Sequence, residues 1–184
     1  MQGNLVYENE EQLVEKAKNG NQHAFTQLYD QHFDKIFRYI YVRLKNQAES
    51  EDLTQEVFIK AINAIGSYKY EGAPFASWLF RIAHNQVIDF VRKRDKQKTA
   101  PLDEALNYAG NEDPVASTEY RLDVAELIEA IGQLPPAQRE VVSLRFIADL
   151  PIAEVAKILG KSQGTIKALQ FNATASLRKL MGAH

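Results

Sequence analysis

Four polar side chains, Arg81, Asn85, Asp89 and Arg92, recur at spacings of four, four and three residues. On a helix those intervals bring the groups into one line. The segment then runs into Arg92-Lys93-Arg94, followed by Lys96 and Lys98. Guanidinium and amide groups beside a cationic end suit a surface that meets nucleic acid. A second array, Asp52, Gln55 and Glu56, has Ile59 set among its polar members. Such a face is ordinarily just solvated, but an apolar residue within it admits a protein-docking surface. A third array, Gln163, Lys167, Gln170, Thr174 and Arg178, offers groups able to reach base edges and phosphates.

Covalent chemistry is not indicated. The four histidines, His23, His32, His84 and His184, include no pair at metal-ligand spacing on one helix face. Glu51, Asp52 and Glu56 lack a partnering Glu-x-x-His, which argues against a di-iron bundle. No glycine-rich phosphate loop, nucleophile elbow or HExxH is present. With no cysteine there is no disulfide or thiolate metal site, which fits a reducing cytoplasm. The expectation is a protein that is not an enzyme and needs no cofactor or metal.

Helices must position these arrays. Pro74 suits a first helical position, and Phe75, Trp78, Leu79, Ile82 and Phe90 form an apolar stripe opposite Asn85. This predicts one long helix over 74–94. Before it, 10–19 reads as a short helix, and Asn21 can cap a second one bearing Phe25, Leu28, Tyr29, Phe33, Ile36, Phe37, Ile40, Tyr41 and Leu44. Asn46 or Ser50 opens a third, ending at Gly66, with Leu53, Val57, Phe58, Ala61, Ile62, Ala64 and Ile65 on its apolar half. The loop 66–73, GSYKYEGA, carries tyrosines that can stack on unpaired bases or fold back on the core.

Residues 95–117 hold Pro101, Gly110 and Pro114 with little periodicity, and read as a linker. Beyond it, Val124, Leu127, Ile128, Ile131 and Leu134 form a stripe stopped by Pro135-Pro136, and a helix over 137–148 follows. Val155, Ala156, Leu159, Gly160, Ile166 and Leu169 have the spacing of a helix-turn-helix: Ala156 allows close approach and Gly160 the tight turn. Its second helix, capped by Ser162, is expected to bury Ile166, Leu169, Ala173, Leu177 and Leu180. No segment alternates as a strand does. The fold class is all-α: two small helical domains, 1–94 and 118–184, joined by a flexible linker at 95–117.

Charge follows the same division. The 184 residues carry a formal charge of −2, too little for a protein that coats DNA by bulk electrostatics. Residues 81–98 nonetheless hold a local +4, 99–129 a local −7, and 139–184 again +4. Two basic segments flanking an acidic connection suit two weak contacts used together. The acidic N-terminus lacks signal-peptide order, and no apolar run approaches a membrane span, so a cytoplasmic protein without membrane insertion is expected.

Three blocks together resemble an extracytoplasmic-function (ECF) RNA polymerase sigma factor: Glu51-Asp52-Leu53-Thr54-Gln55-Glu56-Val57-Phe58; Phe75 to Asn85 with Asp89 and Arg92; and the pattern from Leu134-Pro135 through Lys167. The resemblance covers 20–98 and 118–181. It implies that 1–94 is a sigma region 2-like domain and 118–184 a region 4-like helix-turn-helix domain. It implies that Asp52, Gln55, Glu56 and Ile59 dock on the β′ coiled coil of core RNA polymerase, whose β subunit is also a partner. The 67–73 loop, with Ser67, Tyr68, Lys69 and Tyr70, would capture a base flipped from the promoter −10 element, and Arg81, Asn85, Arg92 and Lys93 would contact the opened strand. Ser162, Gln163, Thr165, Lys167, Gln170 and Arg178 would meet the −35 element. An anti-sigma factor is an implied partner. The chain departs from the family at Phe171-Asn172, where a basic residue is usual. Two other classes fit less of the chain: a stand-alone helix-turn-helix regulator, and an all-helical adaptor binding through the acidic face.

Overall fold

The computed structural model describes residues 9–70, 72–98 and 118–182. Among them every regular element is helical. The elements are α1 (Glu10–Lys18), α2 (Gln22–Leu44), α3 (Gln47–Ala64), α4 (Phe75–Lys98), α5 (Thr118–Gly132), α6 (Pro136–Val142), α7 (Ile152–Leu159) and α8 (Gln163–Met181).

Side-chain caps set the boundaries. Asn9 accepts the Gln12 N–H at 2.8 Å while Gln12 accepts the Asn9 N–H, a reciprocal capping box. Asn21 caps α2 through Ala24 N–H at 3.0 Å, and Asn46 caps α3 through Glu49 N–H at 2.9 Å. Asn46 therefore opens α3, and Ser50 lies buried one turn inside it. A short 3₁₀ turn, Ile65–Ser67, leads out of α3. Helix α4 continues to Lys98, four residues past the expected boundary at 94. Nothing in Asp95-Lys96-Gln97-Lys98 breaks a helix, and the first proline comes only at 101.

The predicted helix over 137–148 is interrupted. Helix α6 passes into a π-helical turn at Ser143–Ile147, closed by Ala148 N–H to Ser143 O at 3.1 Å. Phe146 is left exposed on that turn.

The apolar faces meet in two clusters. The larger joins Leu13, Leu28, Ile36, Tyr39, Leu79 and Phe80 of α1, α2 and α4 to Leu144, Leu150, Val155 and Ile166 of the C-terminal half. The smaller places Val42 of α2 against Ile131, Leu134, Val142 and Ala173. Both clusters take residues from both halves of the chain. The two helical units are thus docked on each other through apolar surface, and removing that surface from water holds them. The linker expectation for 99–117 lies outside the described residues.

Candidate polymerase and promoter interface

On α3, burial divides the helix along its length. Leu53, Val57, Phe58 and Ala61 are buried, whereas Asp52, Gln55 and Glu56 are exposed and Ile59 is 58% exposed. The docked units leave this face open. Sequence reasoning missed what braces it. Buried Gln86 of α4 donates from Nε2 to Glu56 Oε2 at 3.3 Å and accepts from Lys60 Nζ. Gln86 thereby ties the acidic face of α3 to α4, next to Asn85.

On α4, Arg81, Asn85, Arg92 and Lys93 are exposed, and Arg92 pairs with Asp89 at 3.0 Å. The stripe behind them is packed: Phe75, Leu79 and Phe80 are buried, with Trp78, Ile82 and Phe90 part-buried against them. In the loop, Ser67, Lys69 and Tyr70 are exposed, Tyr70 by 64%. Tyr68 departs from its expected place among them. Its ring lies buried against Phe75 and Trp78, and its hydroxyl donates to Ala73 O at 3.2 Å. An aromatic ring with apolar neighbours in reach gains more from burial than from projecting into water. Of the two tyrosines only Tyr70 offers an open face.

The helix-turn-helix is built by α7 and α8. Gly160 takes φ 61° at the end of α7, a left-handed cap that glycine adopts at low cost. Ser162 caps α8, accepting the Thr165 N–H at 3.1 Å, and the two hydroxyls bond each other at 2.9 Å. Gln163, Lys167 and Arg178 are exposed, and Ile166 and Ala173 are buried beneath them. Gln170 is not free: it is half-buried and accepts from Arg145 Nε at 3.0 Å. Leu180, expected in the core, is 40% exposed in the last turn of α8. Phe171 is 76% exposed on the outer side of α8.

Between the units lies a polar network without a precedent in the motifs. Tyr39 of α2 approaches His84 Nδ1 of α4 at 3.0 Å and Glu140 Oε2 of α6 at 3.4 Å. The other oxygen of Glu140 pairs with Arg43. Burial pushes the Tyr39 phenol up to about 12, so at neutral pH it is a donor. Burial, aided by the Arg43 charge, pushes His84 down to about 4, so its ring is neutral at neutral pH, and the Tyr39 hydroxyl donates to Glu140 Oε2. Lys45 adds a second tie, reaching Glu129 at 2.8 Å.

Comparison with known proteins gives this arrangement a family. The Sigma-70 region 2 model matches residues 28–97, and the Sigma-70 region 4 model matches 130–179. The chain is 32% identical over 178 residues to the ECF RNA polymerase sigma factor SigW of Bacillus subtilis, covering 90% of this chain and 93% of that one. The chain belongs to the ECF sigma factors. It is also 40% identical over 171 residues to BldN, an ECF RNA polymerase sigma factor of Streptomyces coelicolor, covering 92% of this chain and 65% of the relative. The solved structure of CnrH in complex with the cytosolic domain of CnrY aligns with a TM-score of 0.67 at 26% identity, covering 93% of this sigma factor and 96% of CnrH. Sigma factors are non-enzymatic transcription initiation factors. Among the described residues no helix is long and apolar enough to cross a membrane.

Proposed function

We propose that this sigma factor binds core RNA polymerase through the exposed face of α3, with Asp52, Gln55 and Glu56 supplying charge and polarity and Ile59 an apolar anchor. The observation that carries this is the exposure of Ile59, 58%, with Ile62 one turn on at 45%, on a helix that buries Leu53, Val57, Phe58 and Ala61. A solvated acidic face needs no such residue; a docking face gains from burying one. The loop then receives an unstacked −10 base, with Ser67, Lys69 and Tyr70 around it and Tyr68 as the floor. Arg81, Asn85, Arg92 and Lys93 follow the opened strand. At the −35 element, the N-terminus of α8 faces a phosphate, and Gln163, Lys167 and Arg178 face the groove. Its place of action is the cytoplasm.

The docked arrangement bears on the mechanism. The −10 and −35 elements are about 25 base pairs apart, roughly 85 Å at 3.4 Å per pair. Helix α7 packs on α4 and α8 packs on α7, and α8 has 19 residues, so it is about 28 Å long. Docked units fall short of the promoter span, and the units separate when the polymerase is bound. Regulation by an anti-sigma factor follows from the relatives: the CnrH structure holds the cytosolic domain of CnrY, and a sigma factor RpoE is solved with the anti-sigma factor NepR. Run-off transcription from a genomic promoter library with purified core polymerase tests the reading. Promoter-dependent transcripts are expected only with both proteins; tight specific binding by the chain alone, without transcripts, would reassign it as a stand-alone helix-turn-helix regulator.

A further inference from the structure

Helix α1 precedes the segment matched to region 2, which begins at residue 28. Yet α1 packs on α2, on α4 and on the turn Ile65–Ser67 that leads into the loop. Its first residue, Glu10, accepts from His32 Nε2 of α2 at 2.6 Å. His32 is buried, and its ring makes a T-shaped contact with Phe75, with centroids 5.7 Å apart. Phe75 meets Tyr68 edge-on at 5.6 Å, and both rings lie against Trp78, at 5.4 and 5.3 Å. Tyr68 closes the loop on itself through its bond to Ala73 O, across a turn in which Gly72 holds φ 76°. An unbroken series of contacts thus runs from the Glu10 carboxylate to the floor of the loop. Burial raises the pKa of the Tyr68 phenol, and the nearby Glu10, Tyr70 and Glu11 raise it further through space.

Each link is directional. A carboxylate accepting from Nε2 fixes the rotation of the imidazole, which sets the angle at which it meets Phe75. An edge-to-face series transmits that orientation, because offset and T-shaped geometries are preferred over others by about 1 kcal/mol per pair. We propose that Glu10 and His32 are a positioning pair for −10 recognition, holding the Phe75–Tyr68 floor so that Ser67, Lys69 and Tyr70 meet an unstacked promoter base. The inference rests on the assignment of the 67–73 loop to that base. The pair touches no DNA itself; it sets the geometry of the residues that do.

The test uses holoenzyme assembled from core RNA polymerase and each variant. The probe is a set of −10 non-template oligonucleotides, selected by wild-type holoenzyme from a randomised pool and remade with 2-aminopurine at each position in turn. Glu10→Ala and His32→Leu are expected to weaken binding about fivefold, the worth of one net hydrogen bond, and to change the 2-aminopurine signal at the loop-held position only. Glu10→Gln keeps an oxygen for the His32 N–H and is expected to retain most of the wild-type signal. Affinity for core polymerase should not move. Wild-type binding by both disruptive variants overturns the proposal, as does an equal loss at all positions together with core affinity. Tyr70→Ala separates the two levels. If it weakens binding while Glu10→Ala and His32→Leu do not, only the positioning pair falls; if it has no effect, the loop assignment falls and the pair with it.

Discussion

Glu140 is the residue on which the docked state can be broken with one substitution. It presents one oxygen to Arg43 of α2 and the other to Tyr39 and His84, and its side chain keeps 14% of its surface while that of Arg43 keeps 17%. Replacing it by glutamine leaves the Arg43 charge largely buried without a counter-ion. Removing one partner of a buried pair costs about 3–5 kcal/mol, and the residual exposure here places the cost at the low end, about 3 kcal/mol. The chain can escape that penalty by undocking, which returns Arg43 to water. Glu140→Gln should therefore move the docked-to-open ratio by a factor of about 150. Because the sequence has no cysteine, Thr26→Cys and Lys179→Cys provide unique label sites on exposed positions of the two units. Single-molecule energy transfer between them should show a high-transfer population in the parent and a low-transfer one in Glu140→Gln. Arg43→Met combined with Glu140→Met should recover the high-transfer state, since an apolar pair of similar volume leaves no buried charge. Strictly additive opening by Arg43→Met and Glu140→Met would refute the clasp, because additivity means the side chains do not interact.

Three further outcomes follow from the same geometry. His84 titrates at about 4 in the folded chain against 6.5 ordinarily, so the unfolded chain binds the extra proton first: the His84 contribution to stability is constant well above pH 6.5 and is lost as pH drops toward 4, by at most about 3 kcal/mol. Urea unfolding followed through Trp78, the single tryptophan, should show this slope, and His84→Gln should remove it. Asp52→Arg with Glu56→Arg should abolish capture of core polymerase in a pull-down while leaving far-UV circular dichroism unchanged; undiminished capture would rule out the α3 docking face. Asn85→Ala should lower open-complex formation about tenfold, the cost of one lost base-edge contact, with core affinity retained; equal loss of both in permanganate footprinting and pull-down would return Asn85 to a structural role.

Helix positions and their caps were readable because both are local. Asn21, Asn46, Ser162 and Gly160 stand where the apolar period starts or stops, and each cap bond spans at most a few residues. The faces of α3 and α4 were largely readable for the same reason, since a 3.6-residue period sorts exposed from buried side chains without knowledge of the partner; Ile62, placed with the apolar half of α3, is 45% exposed because it lies at that half's edge. Tyr68 was not: whether a loop tyrosine projects or folds back depends on the room beside Phe75 and Trp78, which no spacing encodes. The engagement of Gln170 by Arg145 was not either, since it joins residues 25 apart on different helical turns, beyond the reach of a local period. The Tyr39–His84–Glu140 network was out of reach, because 101 residues separate Tyr39 from Glu140 and an isolated glutamate in an amphipathic helix carries no mark of its partner. Gln86 sits beside Asn85 and is buried where its neighbour is exposed, a difference that one extra residue of helical rotation produces.

The apolar clusters shared by the two units carry a consequence for measured affinities. A polymerase that accepts only the separated form sees an apparent dissociation constant equal to the intrinsic one divided by the open fraction. Each 1.4 kcal/mol added to docking would weaken the apparent affinity tenfold, although no residue that touches the polymerase had changed. Val42, wedged between Ile131, Leu134 and Val142, is therefore a tuning position. Its trimming to alanine would read, in a binding assay, as a gain in polymerase affinity. Variants selected for stronger transcription should accordingly accumulate on this seam as well as on the faces that meet DNA.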